Sequence, residues 1–517
     1  MKIQLAHLSL LSAALFSIAG CSNAATEATD ITTATSSTVA KPNIVILYTD
    51  DLGYGDVSAY KSGTLPTPNI DKLANEGILF NRGYATAGTC TPSRYSLLTG
   101  EYPFRKKRAR VLQGDAPMLI TPEQQTLPKM LQGAGYTTGV IGKWHLGLGD
   151  GNIDWNGHIT PGANEIGFDY SYIMGATNDR TPNVYVKNGR VVNLDPNDPL
   201  EISYKKNFPG EPTGKKNPEL LKMKFSQGHN SSINNGVSRI GYQRGGKSAM
   251  WVDEDMADLF NDEALQFVER NKAKPFFLFY AFHQPHVPRM PNQRFVGKSG
   301  QGPRGDAILE ADWQVGQFMQ KLDDLGLSEN TIVIFSSDNG HVLDDGYHDD
   351  AEEKLGDHTP WGPFRGGKYS LLEAGTHVPF IVRWQGKVKS QTSNALVSQH
   401  DFIASFAALT GQKTTAMDSE NQIDALLGKD ENGRDHLVVQ GTKNSFSYHQ
   451  DGWVYIPPHK GKGYATFVGN ESGFSKETQL YNLSKDPGQT TNLAEKHPEK
   501  IAEMKAALEA IKAKSNA

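Results

Sequence analysis

Apolar runs of strand length alternate with segments of helical period along most of the chain. The run "NIVILY" (43–48) is continuous and rich in β-branched residues, as in a strand buried on both faces of a sheet. The segment "TPNIDKLANEG" has the features of a helix, with Thr67 as the N-cap, Pro68 at the first helical position and Gly77 as the stop. Further strand-like runs are "TTGVIGKW", "PFFLFYAF" (275–282) and "TIVIFSS". The alternation predicts an α/β fold with a large, mostly parallel central sheet and helices on both faces.

A long amphipathic helix is predicted between the last two of these runs. One helical face of "GDAILEADWQVGQFMQKLDDLG" carries apolar side chains: Ile308, Ala311, Val315, Phe318, Leu322 and Leu325. By contrast, residues 184–250 are rich in Lys, Asn, Gly and Ser and have little periodicity. A stretch of that length without clear elements is usually functional or mobile.

The composition changes after about residue 435. The runs "LVVQG", "SFSYHQDGWVYIPPH" and "GYATFVG" are short, aromatic and separated by turns, and an amphipathic helix closes the chain. These features predict a smaller antiparallel sheet with a helix packed on it. We therefore expect a large domain over 41–434 and a C-terminal α+β subdomain over 435–517.

The N-terminus has the features of an export signal. A single early lysine precedes the apolar stretch "LSLLSAALFSIAGC", which is too short to span a membrane. Ordinary cleavage is one interpretation, but "IAGC" resembles a bacterial lipobox, in which the cysteine, here Cys21, is acylated. Residues 1–20 are then a lipoprotein signal peptide and 21–40, rich in Ser, Thr and Ala, a flexible tether. The expected location is the bacterial cell envelope, where acylated Cys21 holds the protein to a lipid membrane.

Charge and cysteine content restrict the possible partners. The formal net charge of −5 argues against nucleic-acid binding by the protein as a whole. A local exception is "RKKRAR" (105–110), which is either a solvated loop or a patch that attracts a polyanion. The chain has 2 cysteines, so acylation of Cys21 would leave Cys90 without a disulfide partner.

Polar side chains follow two of the predicted buried strands. Asp50 and Asp51 come directly after the first, and Asp338 and Asn339 follow a later one in "SDNG". In open α/β sheets ligands bind beyond the carboxyl ends of the strands. Carboxylate and amide oxygens suit Ca²⁺ or Mg²⁺ better than zinc. The alternative is that these residues only cap the following turns.

The segment "GTCTPSRYSLLTG" (88–100) places Cys90 in what reads as a tight polar turn on the surface, close to a proline and Arg94. Here the residues resemble a known family. "CTPSR" matches the C-x-P-x-R signature of the type I, formylglycine-dependent sulfatases, and "GYTTGVIGKWHLG" (135–147) resembles their second signature. "PHVP" (285–288), "SDNG" and "LYNLSKDPGQTTNL" (480–493) follow in the family's order. The resemblance covers roughly residues 41–510 and implies the alkaline-phosphatase-like fold.

The resemblance implies a nucleophile and a metal. A separate maturing enzyme would oxidise Cys90 to formylglycine, whose hydrate attacks sulfur and later expels sulfate by re-forming the carbonyl. The residues expected to ligate one divalent cation, most simply Ca²⁺, together with the modified Cys90 are Asp50, Asp51, Asp338 and Asn339. Arg94 would hold the deprotonated nucleophile, and Lys143 and Lys368 would bind sulfate oxygens.

Histidines are expected to move the protons. By resemblance, His145 would accept the proton of the second hydroxyl, and His286 would protonate or hydrogen-bond the leaving alcohol; an ordinary histidine pKa suits both roles. His283 is either a substrate-binding pocket-wall residue or a packing partner. Lys368 belongs to "FRGGKYSLLEAGTHVP", which resembles a family segment but has Ala374 where a glycine is more usual. The acidic run 341–360 is interpreted as a solvated loop at the pocket rim.

The expected reaction is hydrolysis of sulfate esters, with a sulfated polysaccharide or oligosaccharide as substrate. Two alternatives remain open. One is a phosphate or phosphonate ester hydrolase of the same superfamily, although such phosphatases use two zinc ions with several histidine ligands. The other is an inactive, surface-tethered glycan-binding lipoprotein.

Overall fold

A computed structural model describes residues 41–514. The predicted signal peptide, the tether and Cys21 lie outside the described residues, so those expectations stay predictions. Within the described part, no helix combines the length and the apolar character needed to cross a lipid bilayer.

Residues 41–514 form strands and α-helices along their whole length, joined by loops and short 3-10 helices. The strands are β1 Asn43–Thr49, β2 Ile78–Phe80, β3 Gly83–Tyr84, β4 Thr137–Lys143, β5 Tyr170–Met174, β6 Tyr185–Lys187, β7 Arg190–Val191, β8 Glu201–Ser203, β9 Ile233–Asn234, β10 Val237–Ser238, β11 Tyr242–Arg244, β12 Phe276–Ala281, β13 Thr331–Ser337, β14 Phe380–Trp384, β15 Gln391–Ser393, β16 Val397–Ser398, β17 His436–Gln440, β18 Phe446–Gln450, β19 Trp453–Ile456, β20 Tyr464–Ala465, β21 Asn470–Glu471 and β22 Gln479–Asn482. The helices are α1 Pro68–Asn75, α2 Cys90–Thr99, α3 Leu127–Gly133, α4 Met256–Asn271, α5 Gly302–Asp324, α6 Phe402–Thr410, α7 Ile423–Leu426 and α8 Pro498–Ala513.

A 10-stranded sheet organises the fold, in the order β15-β2-β14-β13-β1-β12-β4-β5-β6-β7. The central strands β13, β1, β12, β4 and β5 are parallel to one another. Strands β14 and β6 flank this group and run antiparallel to it. The predicted fold class, a large and mostly parallel sheet, is confirmed. All the central strands therefore end at the same edge of the sheet.

Both faces of the sheet are covered. Along β1, Ile44 and Ile46 point into one core and Val45 and Leu47 into the other, which explains the continuous apolar run. Helices α3 and α6 contribute to the first core, and α1, α4 and α5 to the second. The predicted face of α5 packs as expected, with Leu325 only partly buried at its end.

The predicted N-cap position of α1 is confirmed, but a different residue supplies the capping hydrogen bonds. Thr67 occupies the cap position, but its side chain makes no capping hydrogen bond. Instead the carboxylate of Asp312, on α5, accepts hydrogen bonds of 3.0 and 2.9 Å from the backbone N–H groups of Asn69 and Ile70. The helix ends at Asn75, two residues before Gly77. A tertiary contact thus satisfies the N–H groups that the sequence assigned to a local cap.

We expect Asp312→Ala to destabilise the protein by about 1 kcal/mol, because the first turn of α1 loses its hydrogen-bond acceptor. Differential scanning calorimetry of the purified variant measures this as a lower melting temperature. Ester hydrolysis per folded molecule should not change. An unaltered melting temperature would show that Asp312 does not cap α1.

The C-terminal part contains the predicted antiparallel sheet, in the order β17-β18-β19-β22. Met504 and Leu508 of α8 pack into its hydrophobic core. One detail is wrong: "GYATFVG" does not join this sheet, because β20 pairs only with β21 in a separate hairpin. The proposed domain boundary at 434/435 stays a prediction.

Residues 184–250 form short paired strands instead of a featureless loop. Strands β6 and β7 extend the main sheet, β8 pairs with β11, and β9 pairs with β10. Each strand is only 2 or 3 residues long. Runs this short carry no recognisable period, so the sequence pattern could not predict them.

Candidate active site

The carboxyl ends of four adjacent strands supply most of the predicted site residues. In sheet order these are Asp338 and Asn339 after β13, Asp50 and Asp51 after β1, His283 and His286 after β12, and Lys143 and His145 at the end of β4. Because β13 pairs in register with β1, Thr49 lies opposite Ser337 and the two acidic pairs meet. Cys90 and Arg94 come from α2, and Lys368 comes from the loop before β14.

Two glycines allow these loops to approach one another closely. Gly142 precedes Lys143 and has φ +103°, and a Cβ there would lie 1.8 Å from the carbonyl oxygen of Ala281. A Cβ on Gly340, next to Asn339, would lie 1.7 Å from the carbonyl oxygen of Ala374. Any larger residue would separate the strand ends. Ala374 lies in a 3-10 helix, Glu373–Gly375, and has no positive φ, so its backbone does not require a glycine.

The acidic residues form a buried cluster with the properties of a cation site. One carboxylate oxygen from each of Asp50, Asp51 and Asp338 lies within 4.8 Å of the others. Asp50 Oδ1 and Asn339 Oδ1 are buried without a hydrogen-bond partner, whereas the Asn339 amide nitrogen donates to Asp51 over 2.7 Å. Buried oxygens without partners are costly unless a ligand satisfies them. The oxygen donor set fits a hard cation such as Ca²⁺ or Mg²⁺.

Three basic side chains surround the cluster. Arg94 contacts Asp338 Oδ2 at 2.8 Å, and Lys368 contacts Asp51 Oδ2 at 2.8 Å. Lys143 pairs with Asp50 and lies 3.8 Å from Asp338. All these side chains are at most 1% exposed. The basic groups hold the carboxylates in position and offset their negative charge.

Burial and these neighbours set the charges of the carboxylates. Burial, with the nearby Asp338, raises the pKa of Asp50 well above its usual range. Burial also raises the pKa of Asp51, against the effect of Lys368. Burial opposes ionisation of Asp338 as well, but Arg94 and Lys143 prevail and lower its pKa. Asp338 is therefore the most firmly ionised member of the cluster.

Cys90 is buried, so its expected position in a surface turn is wrong. It is the first residue of α2 and is only 2% exposed. Its sulfur lies within 4.8 Å of a carboxylate oxygen of Asp50 and a ring nitrogen of His286. Burial raises the pKa of the thiol to about 11, although Lys143 and Lys368 act in the opposite direction. The polar sequence around Cys90 thus faces a buried polar site, which local sequence cannot distinguish from solvent.

His145 lines the pocket and has one unprotonated ring nitrogen. Its Nε2–H donates to the carbonyl oxygen of Leu112 over 3.0 Å, since a carbonyl can only accept. Nδ1 is then the basic nitrogen, and it is buried without a hydrogen-bond partner. Burial, with Lys143 nearby, holds the pKa of His145 well below the ordinary value expected from the sequence. The neutral ring can accept a proton.

The two histidines after β12 have different surroundings. His286 lines the pocket, and its Nδ1–H donates to the carbonyl oxygen of Val287 over 2.6 Å. Its Nε2 lies 3.9 Å from Asp51. Burial, with Lys368 nearby, keeps the pKa of His286 well below its usual value. His283 is not among the pocket-lining residues; its ring lies 6.1 Å from that of Phe260, and burial lowers its pKa to about 3.

A pocket of about 240 Å³ opens above Cys90, His145, His286 and Lys368. Its remaining polar walls come from Asp179, Arg180, Gln227, His229, Asp345 and Tyr369, of which only Asp345 lies in a segment predicted to reach the pocket rim. Asp179 follows β5 at the same edge of the sheet and accepts a 2.9 Å hydrogen bond from His229 Nε2. Because ligands bind beyond the carboxyl ends of the strands, the position of Asp179 after β5 could have indicated that it belongs to the site. Nothing in the sequence around His229 indicated its place here.

The acidic run 341–360 is not simply solvated. Asp345 reaches the pocket and pairs with Lys368 at 2.7 Å. Asp349 is buried against Arg289, and His358 is buried against Asp56, at 2.8 and 2.9 Å respectively. Long-range ion pairs therefore bury charges that the sequence pattern assigned to solvent. The prediction that this run reaches the pocket holds for Asp345 alone among these residues.

The fold and this site define a hydrolase of the sulfatase and alkaline-phosphatase type. A family model described as Sulfatase matches residues 42–412. A curated N-acetylgalactosamine-6-O-sulfatase of Bacteroides thetaiotaomicron is 49% identical over 476 residues, which cover 91% of this chain and 93% of the relative. Human arylsulfatase A is 30% identical, with 87% of this chain and 83% of the relative covered. The chain belongs to the sulfatase family and is an enzyme that hydrolyses sulfate esters.

A solved structure supports the same assignment. It was determined in connection with the metabolism of multiple glycosaminoglycans by Bacteroides thetaiotaomicron, and it superposes with a TM-score of 0.90 at 49% sequence identity. The superposition covers 92% of this chain and 100% of the other. The similarity therefore includes the C-terminal sheet as well as the central one.

Proposed function

We propose that this sulfatase removes a sulfate ester from a glycan, with 6-sulfated N-acetylgalactosamine as the first candidate. The observation that carries the mechanism is the position of Cys90, whose sulfur lies within 4.8 Å of Asp50 and His286 at the edge of the carboxylate cluster. The candidate sugar comes from the name of the 49% identical relative. The polar pocket walls are suited to a sugar, whose hydroxyl groups need hydrogen-bond partners.

The proposed cofactor is one Ca²⁺ ion. Asp50, Asp51, Asp338 and Asn339 would hold it through oxygen atoms, two of which have no other partner. When bound, the ion would supply positive charge to the nucleophile and the transferring group. Mg²⁺ has the same preference for oxygen ligands, so metal analysis of enzyme purified without chelators distinguishes the two.

The proposed nucleophile is formylglycine made from Cys90 by a maturing enzyme. Such a group would supply a hydroxyl for attack on sulfur. Lys368, which lines the pocket, and Lys143 would bind sulfate oxygens and balance charge that develops on them. Arg94 would orient Asp338 and the group at position 90, one helical turn away.

Histidines would complete the proton transfers. His145 Nδ1, which has no hydrogen-bond partner, would accept a proton from the group at position 90. His286 would contact the leaving oxygen through Nε2, because its Nδ1 is committed to Val287. Donation from Nε2 requires a second proton on the ring, which the negative charge of a bound sulfate would favour.

Defined substrates test this function. We expect the enzyme to release sulfate from 6-sulfated N-acetylgalactosamine, and to hydrolyse an aryl sulfate much faster than the matching aryl phosphate. Ion chromatography measures the released anion, and the desulfated sugar is identified by NMR. Equal or faster phosphate release would favour a phosphate or phosphonate ester hydrolase instead. Sulfate release from other sugars alone would reject the named sugar and keep the enzyme class.

We also propose export and lipid anchoring through Cys21, in line with the lipobox-like sequence "IAGC". A tether over 21–40, as its Ser-, Thr- and Ala-rich composition predicts, would let the enzyme reach large glycans at the envelope. Cys21→Ala should move the protein from the membrane fraction to the soluble fraction of its host.

A purely glycan-binding role would require that purified, matured protein release no sulfate from any substrate tested.

A further inference from the structure

A second groove lies beside the active-site pocket and has a strongly basic lining. Its volume is about 710 Å³. The cationic side chains that line it are Arg105, Lys106, Lys107, Arg110 and Lys443. No aspartate or glutamate is among the residues that line it, within the part of the chain that the structure describes. This groove contains most of the basic run 105–110, which the proposed mechanism leaves without a role.

Most of these cations are free to bind a ligand. Arg105 is engaged, because its guanidinium contacts Asp418 at 2.6 Å. Lys106, Lys107, Arg110 and Lys443 form no ion pair with any residue between 41 and 514. Lys107 and Arg110 are exposed, and Lys106 is half-buried. Unpaired like charges held together raise the electrostatic energy of the free protein, and a bound anion relieves it.

The groove adjoins the catalytic pocket. Val111 lines both of them. Thr89 and Pro92, which flank Cys90 in sequence, also line the groove. A glycan whose sulfate reaches Cys90 would therefore place its neighbouring sugar close to the basic groove. A ligand unrelated to the substrate would have to bind immediately beside it.

We propose that the groove binds a second anionic group of the same glycan, carried by the sugar next to the one that is desulfated. This inference rests on the proposed function. A carboxylate and a sulfate are both compatible with the lysines, since an ammonium group is a point charge without a preferred ligand geometry. The enzyme would thereby favour polyanionic chains over isolated sulfated sugars.

The test compares the double variant Lys106→Gln/Lys107→Gln with the natural protein on three matched disaccharides. Each carries the same sulfate ester for cleavage, and the neighbouring sugar bears a carboxylate, a sulfate or no charge. We expect KM to rise about tenfold for the charged neighbours, with kcat within about twofold, because an exposed charge contact is worth a few-fold in affinity. KM for the uncharged neighbour should not change. A larger effect for one charged neighbour identifies the anion.

The matched control is Lys387→Gln/Lys389→Gln. Both residues are exposed and follow β14, whose last residue, Trp384, pairs with the start of β13 at the opposite end of the sheet. This variant should leave every KM unchanged. Raised salt should increase KM for the charged disaccharides in the natural protein and much less in the groove variant.

Two results would overturn the proposal. One is an equal KM for charged and uncharged disaccharides in the natural protein. The other is unchanged kinetics in the groove variant; if that variant also loses binding to phosphatidylglycerol vesicles, the groove is assigned to a membrane surface. Hydrolysis of a simple aryl sulfate, measured in parallel, tests the proposed function without the groove. Its absence would contradict the proposed function. Binding of the charged and uncharged disaccharides, measured directly, would then test the groove.

Discussion

Replacing Cys90 with alanine is expected to reduce sulfate ester hydrolysis by at least about 10³-fold, because removing a nucleophile leaves only binding and electrostatic effects. The fold should survive. Alanine is an excellent helix former, and the substitution removes only one buried sulfur from the first position of α2. Initial rates on an aryl sulfate, with circular dichroism of the same sample, measure both effects.

The other cysteine of the chain provides the control. Cys21→Ala should keep the full rate per molecule, since Cys21 precedes the region matched by the sulfatase family. Cys90→Ala should also retain its metal, because the oxygen ligands from Asp50, Asp51, Asp338 and Asn339 remain. A Cys90→Ala variant with more than about one tenth of the natural rate would exclude Cys90 as the source of the nucleophile.

The second large effect is expected at Asp338. Asp338→Asn should lower turnover by at least about 10³-fold and reduce bound metal from one ion to almost none, since a charged ligand is lost. The carboxylate also holds Arg94 at 2.8 Å and lies 3.8 Å from Lys143. Loss of this negative charge leaves the buried cations of Arg94 and Lys143 with less opposite charge nearby. Inductively coupled plasma mass spectrometry measures the metal, and aryl sulfate hydrolysis measures turnover.

Thermal stability separates metal binding from catalysis in this experiment. Calcium at about 100 times its dissociation constant should stabilise the natural protein by about 2.7 kcal/mol, and should stabilise Asp338→Asn much less. Asp312→Asn is a matched control: Asp312 is also buried, but it contacts α1 instead of the site. Full metal content and normal hydrolysis in Asp338→Asn would remove Asp338 from the proposed metal site.

The sequence predicted the parts of the fold that depend on buried, periodic elements. Strand β1 is recognisable because both of its faces are buried, and α5 because one of its faces is. The meeting of Asp50 and Asp338 follows from the rule that parallel strands end at one edge of a sheet, once their strands are identified. These predictions need only local patterns and one topological rule.

Features that depend on distant partners could not be predicted in this way. Asp312 caps a helix 242 residues away in sequence, and no local pattern marks such a contact. His229 reaches the pocket through Asp179, 50 residues earlier in the chain. Cys90 has polar sequence neighbours but lies in the interior, because burial there depends on the surrounding loops. The pocket walls are formed by such long-range contacts. We expect the residues of these walls to determine which substrate the enzyme accepts.

The most direct test of the central claim is the mass of the peptide that contains residue 90, taken from enzyme purified from its native organism and assayed beforehand. We predict that the active protein carries an aldehyde at that position, with one oxygen in place of the sulfur and two hydrogens of the cysteine side chain. The fraction so modified should match the fraction of active molecules. Full sulfate ester hydrolysis by protein with only an unmodified Cys90 thiol would contradict the account.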